Sequence, residues 1–152
     1  MNNPILDDPT NECYINEDSC RKEIFVFGSN LGGFHGSGSA AAANAEHGAP
    51  YGLGVGPWGN SYAIPTKDSN IEVLPRKVVQ LYCEQFVLYA LEHPELTFNI
   101  VDIGCGLAGF RPEQIAPYFM DAPPNCNFLG KFKEVIEKRK ALKSTEELND
   151  NE

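Results

Sequence analysis

The stretch FVFGSNLGGFHGSGSAAAA, Phe25 to Ala43, with Ile24 just before it, decides the reading of this chain. An apolar run ends at Phe27, and five glycines (Gly28, Gly32, Gly33, Gly36, Gly38) follow within eleven residues. Ala40–Ala43 comes directly after. A short continuous apolar run bounded by glycine is the pattern of a strand buried on both faces. Glycine permits positive φ and lets other groups approach the main chain closely. The helix expected over 38–46 begins with N–H groups that lack intrahelical partners and with the positive end of its dipole. Strand, glycine loop and small-residue helix together predict an anion site made of main-chain donors, suited to a nucleotide phosphate. Ser37 or Ser39 is expected to cap the helix start, and His47–Gly48 to close its end.

The chain around that stretch is ordinary in size and composition. Its 152 residues fit one domain, 42% of them hydrophobic and 22% charged. A formal net charge of −9 disfavours attraction of a free nucleic-acid backbone. No apolar run reaches the roughly 20 residues of a membrane-spanning helix. MNNPILDDPTNE has no basic region followed by an apolar one, so no secretory leader is expected. Five cysteines without a CxxC pair indicate neither a disulfide framework nor a zinc site. A reducing, cytoplasmic setting without metal or cofactor is the expectation.

Three segments are expected: an irregular arm over 1–22, an α/β domain over 23–143 and a disordered acidic tail over 144–152. Within the arm, a short strand at Cys13–Ile15 is considered. The glycine-rich 49–60 reads as an irregular ribbon or a loop, with Trp58 either covering a base or plugging the surface. SYAIPT (Ser61–Thr66) alternates as a second strand, with Pro65 at an edge or a bulge. Lys67, at its end, either points into a cleft or is a solvated lysine. A helix over 75–93 carries a buried stripe of Val79, Cys83, Phe86 and Ala90, and leaves Leu81 and Leu88 outside. A third strand, 97–103, runs into GCGLAGF (Gly104–Phe110) and a short helix starting at Pro112. A terminal helix is expected to run to about Leu142. The strand–glycine loop–helix device thus occurs twice, and such loops converge on one crevice at the carboxyl ends of an open α/β sheet.

These residues resemble the macrodomain superfamily. FVFGSNLGGFHGSGSAAA is similar to its strand, asparagine, glycine loop and small-residue helix. VDIGCGLAGF is similar to the loop that cradles the distal ribose and phosphates of ADP-ribose. SYAIPTKD resembles the branch that removes terminal ADP-ribose, where a strand delivers a lysine to that ribose. Short phage-encoded macrodomain-like proteins carry similar blocks. The resemblance implies a three-layer α/β/α mixed sheet that binds ADP-ribose or a related nucleotide, free or on an ADP-ribosylated macromolecule. Its implied ligand contacts are Asn30, Leu31, Gly32, Gly33, Gly36, Ser37 and Gly38 in the first loop. In the second they are Gly104, Cys105, Gly106, Leu107, Ala108, Gly109 and Phe110. Lys67 matches the lysine of the hydrolytic branch, but Ala108 stands where that branch has its catalytic aspartate. Asp18 is a candidate for reading adenine.

Binding without efficient hydrolysis is therefore the first expectation. The alternative is an ADP-ribosyl hydrolase using Lys67 or His35 with a carboxylate from Asp102 or Asp68. Two further readings are a hydrolase with Cys105 as nucleophile and His35 as base, and an interaction module using Leu81, Leu88 and the terminal helix. A dinucleotide oxidoreductase is disfavoured by the long spacer between the first strand and GSGSAA.

Overall fold

β1 (Glu23–Asn30) lies at the centre of a five-stranded mixed sheet, flanked on both sides by parallel neighbours. This is the physical reason its Ile24–Phe27 run carries no polar alternation. The computed structural model describes residues 22–150; the strand considered at Cys13–Ile15, and Asp18, lie outside them. The sheet order is β2-β3-β1-β4-β5, with β2 (Gly56–Trp58), β3 (Ser61–Lys67), β4 (Thr97–Ile100) and β5 (Cys126–Phe128). All pairings are parallel except that of β2 with β3.

The four α-helices are α1 (Gly38–Glu46), α2 (Arg76–Glu92), α3 (Pro112–Ile115) and α4 (Phe132–Asp150), and a 3-10 turn (Ala116–Phe119) follows α3. Strand alternation sorts their contacts. Phe27 and Ala63 turn to one face and bury with Ala40 and Ala43 of α1. Ile24, Val26, Tyr62 and Ile64 turn to the other, where they meet α2, α3 and α4. The alanines let α1 lie close to the sheet, while Phe86 anchors the larger cluster on the opposite face. Its ring meets Tyr62 at 5.0 Å and Phe98 at 5.2 Å, both edge-to-face. Burying one such ring contributes about 1.5–3 kcal/mol.

The α2 stripe of Val79, Cys83, Phe86 and Ala90 is buried as its spacing predicts, and Leu81 and Leu88 are exposed. Pro65 sits opposite Ser29, where the β1–β3 register shifts. β2 pairs only as far as Ala63, so the missing N–H of Pro65 costs no ladder bond on that side.

Five expectations need correction. Residues 121–127 read as a turn-rich connection and Phe128 and Leu129 as part of the terminal helix, but Cys126–Phe128 is the edge strand β5 and the helix begins at Phe132. β4 ends at Ile100, and Val101–Ile103 leaves the ladder as the chain turns toward its glycine loop. The helix from Pro112 is α only to Ile115 and then tightens, Pro117 falling inside the 3-10 turn. α4 passes Leu142 and runs to Asp150, so 144–150, read as tail, is helical. Ser37 does occupy the N-cap of α1, but its side chain makes no capping hydrogen bond.

Connections place the site. β1 leads through α1 to β3 on one side, whereas its neighbour β4 leads through α3 to β5 on the other. The chain thus leaves two adjacent strands in opposite directions, and a crevice opens at their carboxyl ends.

Candidate functional site

That crevice is a cleft of about 130 Å³. One wall comes from the end of β1 (Gly28, Ser29, Asn30), Phe34 and the start of α1 (Ser37, Gly38, Ser39, Ala40). The other comes from Asp102, Gly104, Gly106, Leu107 and Ala108, with Thr66 and Lys67 at the end of β3 between them. The structure therefore brings together nine of the candidate site residues read from sequence: Asn30, Ser37, Gly38, Lys67, Asp102, Gly104, Gly106, Leu107 and Ala108. Leu31, Gly32, Gly33, His35, Gly36, Cys105, Gly109 and Phe110 do not line it.

The start of α1 supplies the donors. The N–H groups of Gly38, Ser39 and Ala40 have no acceptor among the described residues; the first helical bond runs from Ala41 N–H to the Ser37 carbonyl, at 3.2 Å. Because Ser37 leaves them uncapped and no acidic side chain lies in the first turn, the dipole there is unopposed. Lys67 is the one cationic side chain among the lining residues. Its main-chain carbonyl accepts the N–H of Leu31 at 2.9 Å, and a bridge to Val73 holds it from the other side.

Asn30 is engaged within its own loop. Its amide donates to the Phe34 carbonyl at 2.9 Å and accepts the Phe34 N–H at 2.9 Å. This clasp closes residues 30–34 and leaves one amide N–H and one oxygen lone pair for the cleft.

The glycines of the first loop divide by purpose. Gly33 has φ +70°, and a Cβ there would lie 2.4 Å from the Gly52 carbonyl carbon. A Cβ on Gly54 would strike the Asn30 carbonyl oxygen. The Ser29 hydroxyl donates to the Gly54 carbonyl, and Gly52 N–H to the Gly33 carbonyl at 3.0 Å. Gly33, Gly52 and Gly54 thus serve the packing of two main-chain segments, whereas Gly38 and Gly106 face open space.

The acid–base candidates are placed unfavourably for catalysis. His35 is 1% exposed, and its Nε2 lies 3.1 Å from the Leu53 carbonyl. A carbonyl only accepts, so Nε2 carries the proton, and the buried Nδ1 has no partner. The ring packs edge-on against Phe27 at 5.5 Å, away from the cleft. Asp68 accepts the N–H groups of Asn70 and Glu72, and does not line the cleft. Asp102 does line it, but accepts the N–H of Lys131 at 2.9 and 3.1 Å and that of Phe132 at 3.3 Å, capping α4. Burial first, then the carboxylates of Asp102 and Glu113, push the Cys105 thiol up to about 11. Its Sγ faces the Ile103 carbonyl at 3.6 Å. A thiol of raised pKa outside the cleft and an imidazole bonded to the Leu53 carbonyl give no support to the Cys105–His35 pair as nucleophile and base.

For Trp58 the sequence leaves both readings open. The antiparallel β2 sets it opposite Ser61, level with Phe25, at the end of the sheet away from the cleft, and it is exposed. It does not cover a base in the cleft. Ser29, Phe34, Ser39, Ala40 and Thr66 were not read from sequence as cleft residues; for four of them a small or hydroxyl-bearing side chain beside a named residue was the signal, and Phe34 carried none. Among the described residues, no cluster of His, Cys, Asp or Glu is arranged to hold a metal, and no helix is long and apolar enough to cross a membrane.

No protein-family model matches this sequence, and neither the curated proteins nor the solved structures return a match.

Proposed function

We propose that the chain is a macrodomain-like α/β/α module that binds ADP-ribose, or a related nucleotide, across its two glycine loops. One observation carries this reading: the uncapped start of α1 faces the loop Gly104–Ala108 across the crevice, with Lys67 between them. Three N–H groups and one ammonium without a partner among the described residues, together with a helix dipole, suit a diphosphate in a chain that is acidic as a whole. Helices on both faces of the sheet fit the three-layer arrangement. The cleft of about 130 Å³ is smaller than the roughly 300 Å³ typical of a whole ligand pocket. The phosphates and distal ribose therefore occupy it, and the nucleoside lies on the rim beside exposed Phe34 and Leu107.

Binding without efficient hydrolysis is favoured over the hydrolase alternative. General acid–base chemistry at the anomeric carbon needs a carboxylate free to exchange a proton. Ala108 offers none, and the oxygens of Asp102 are committed to the start of α4. An ADP-ribosylated macromolecule remains a fitting partner for such a binder.

The test compares ADP-ribose, AMP and ribose 5-phosphate by thermal shift. ADP-ribose is expected to raise the melting temperature, and Lys67→Ala to weaken that response without unfolding the protein. Release of ADP-ribose from a modified protein at a rate abolished by Lys67→Ala contradicts the binder reading and supports the hydrolase. No shift with any of the three ligands contradicts both.

A further inference from the structure

The strongest feature outside the cleft is a groove on the far edge of the sheet. β5 is the outermost strand, and α4 runs beside it. Between them lies a space of about 310 Å³, more than twice the volume of the cleft. Cys126 and Phe128 form its strand side, and Lys133, Ile136, Glu137 and Lys140 its helix side. Ile136 and the half-buried Phe128 make its floor apolar.

The edge is open along its main chain. β5 engages β4 through the Asn125 carbonyl, which accepts Phe98 N–H at 2.8 Å, and through Leu129 N–H, which donates to Ile100 at 2.9 Å. In a parallel ladder alternate residues face the partner strand, so residues 126 and 128 turn their main-chain groups outward. The Cys126 N–H is taken by the Pro123 carbonyl at 3.1 Å. Among the described residues, the Cys126 carbonyl and both main-chain groups of Phe128 have no partner and are open to another strand.

Charge then selects the occupant. Six of the chain's twelve lysines and arginines lie within 131–143, against two glutamates, in a protein of net charge −9. Lys133 and Lys140 are exposed, share one helix face over the groove, and make no ion pair among the described residues. The side chains of an added strand alternate, so every second one points toward that face.

We propose that this groove binds an acidic peptide segment in extended form, added as a sixth strand beside β5 with alternate carboxylates beneath Lys133 and Lys140. Main-chain hydrogen bonds hold the segment, and the two lysines, which outnumber the single carboxylate of Glu137 in the lining, choose its sign. The site is separate from the nucleotide cleft and does not depend on the reading given to it.

Fluorescence anisotropy of the labelled hexapeptide ETETET, titrated with the full chain, tests this. Saturable binding is expected, weakened at least tenfold by Lys133→Glu with Lys140→Glu, and by salt. It is also expected to be weakened at least tenfold by N-methylation of alternate peptide residues, which leaves the protein untouched and the charge intact. Lys67→Ala is expected to leave binding unchanged. Absence of binding overturns the proposal, as does equal binding of the glutamine counterpart QTQTQT or indifference to N-methylation. Binding of a dT12 oligonucleotide that is lost in the double variant, with no peptide binding, reassigns the patch to nucleic acid and also overturns it.

Discussion

Both carboxylate oxygens of Asp102 face the main-chain N–H of Lys131, at 2.9 and 3.1 Å, across 29 residues of chain. Asp102, two residues before the second glycine loop, thereby caps the last helix, and one wall of the cleft is tied to α4. Gly130 fits this contact, since a Cβ there would lie 2.5 Å from the carboxylate.

Asp102→Ala is therefore expected to lower stability by about 1–2 kcal/mol, the usual cost of losing a helix cap. Asp102→Asn, which keeps an accepting oxygen, is expected to lose less and to retain ADP-ribose binding. Urea denaturation of both variants measures the difference. Equal stability of Asp102→Ala and wild type contradicts the capping role.

The two kinds of glycine separate under substitution. Gly54→Ala forces a Cβ onto the Asn30 carbonyl and is expected to cost about 1–3 kcal/mol, as overpacking does. Gly106→Ala meets nothing within 4 Å and needs no positive φ, so stability is expected to stay within about 0.5 kcal/mol of wild type. Thermal unfolding of the pair checks the ordering.

Alkaline pH weakens this fold through its buried acids. Burial pushes Cys126 up to about 12 from 9.0, and Tyr62 to about 12 from 10.0, while burial with two carboxylates lifts Cys105 to about 11. Each group ionises first in the unfolded chain, which then binds fewer protons than the folded one. Stability is unaffected by these groups below about pH 8 and declines as pH rises from near 9 toward 11–12. Cys105→Ser is expected to flatten part of that decline, measured by urea midpoints from pH 7 to pH 10.5.

β1, β3, β4 and the two loop–helix units were legible because they rest on local patterns: apolar or alternating runs, the glycines that follow them, and the 3.6-residue stripe of Val79, Cys83, Phe86 and Ala90. The three-residue β2 and β5 were not, being too short to show a period. For Lys67, its place at the end of an alternating strand left a cleft-facing and a solvated lysine both open, and it lines the cleft. What was not legible depends on distant partners. Asp102 meets Lys131, and the buried His35 meets Leu53, contacts that no spacing announces. Gly33 looked like a ligand-facing glycine, but its neighbour is Gly52 of another glycine-rich segment. Trp58 could not be placed from sequence, because its position depends on a three-residue antiparallel strand that pairs it with Ser61.

The account rests on the bare start of α1, and one substitution there separates folding from binding. Ser39→Asp places a carboxylate in the first turn, where the dipole is expected to favour it by about 0.3–1 kcal/mol. The same charge repels a phosphate from the Gly38–Ala40 donors. Calorimetric titration of ADP-ribose into wild type and Ser39→Asp is the direct test. Saturable binding to wild type, lost in a variant that is at least as stable, is the predicted result. No heat with wild type, or equal affinity in Ser39→Asp, contradicts the assignment of the cleft as a phosphate site.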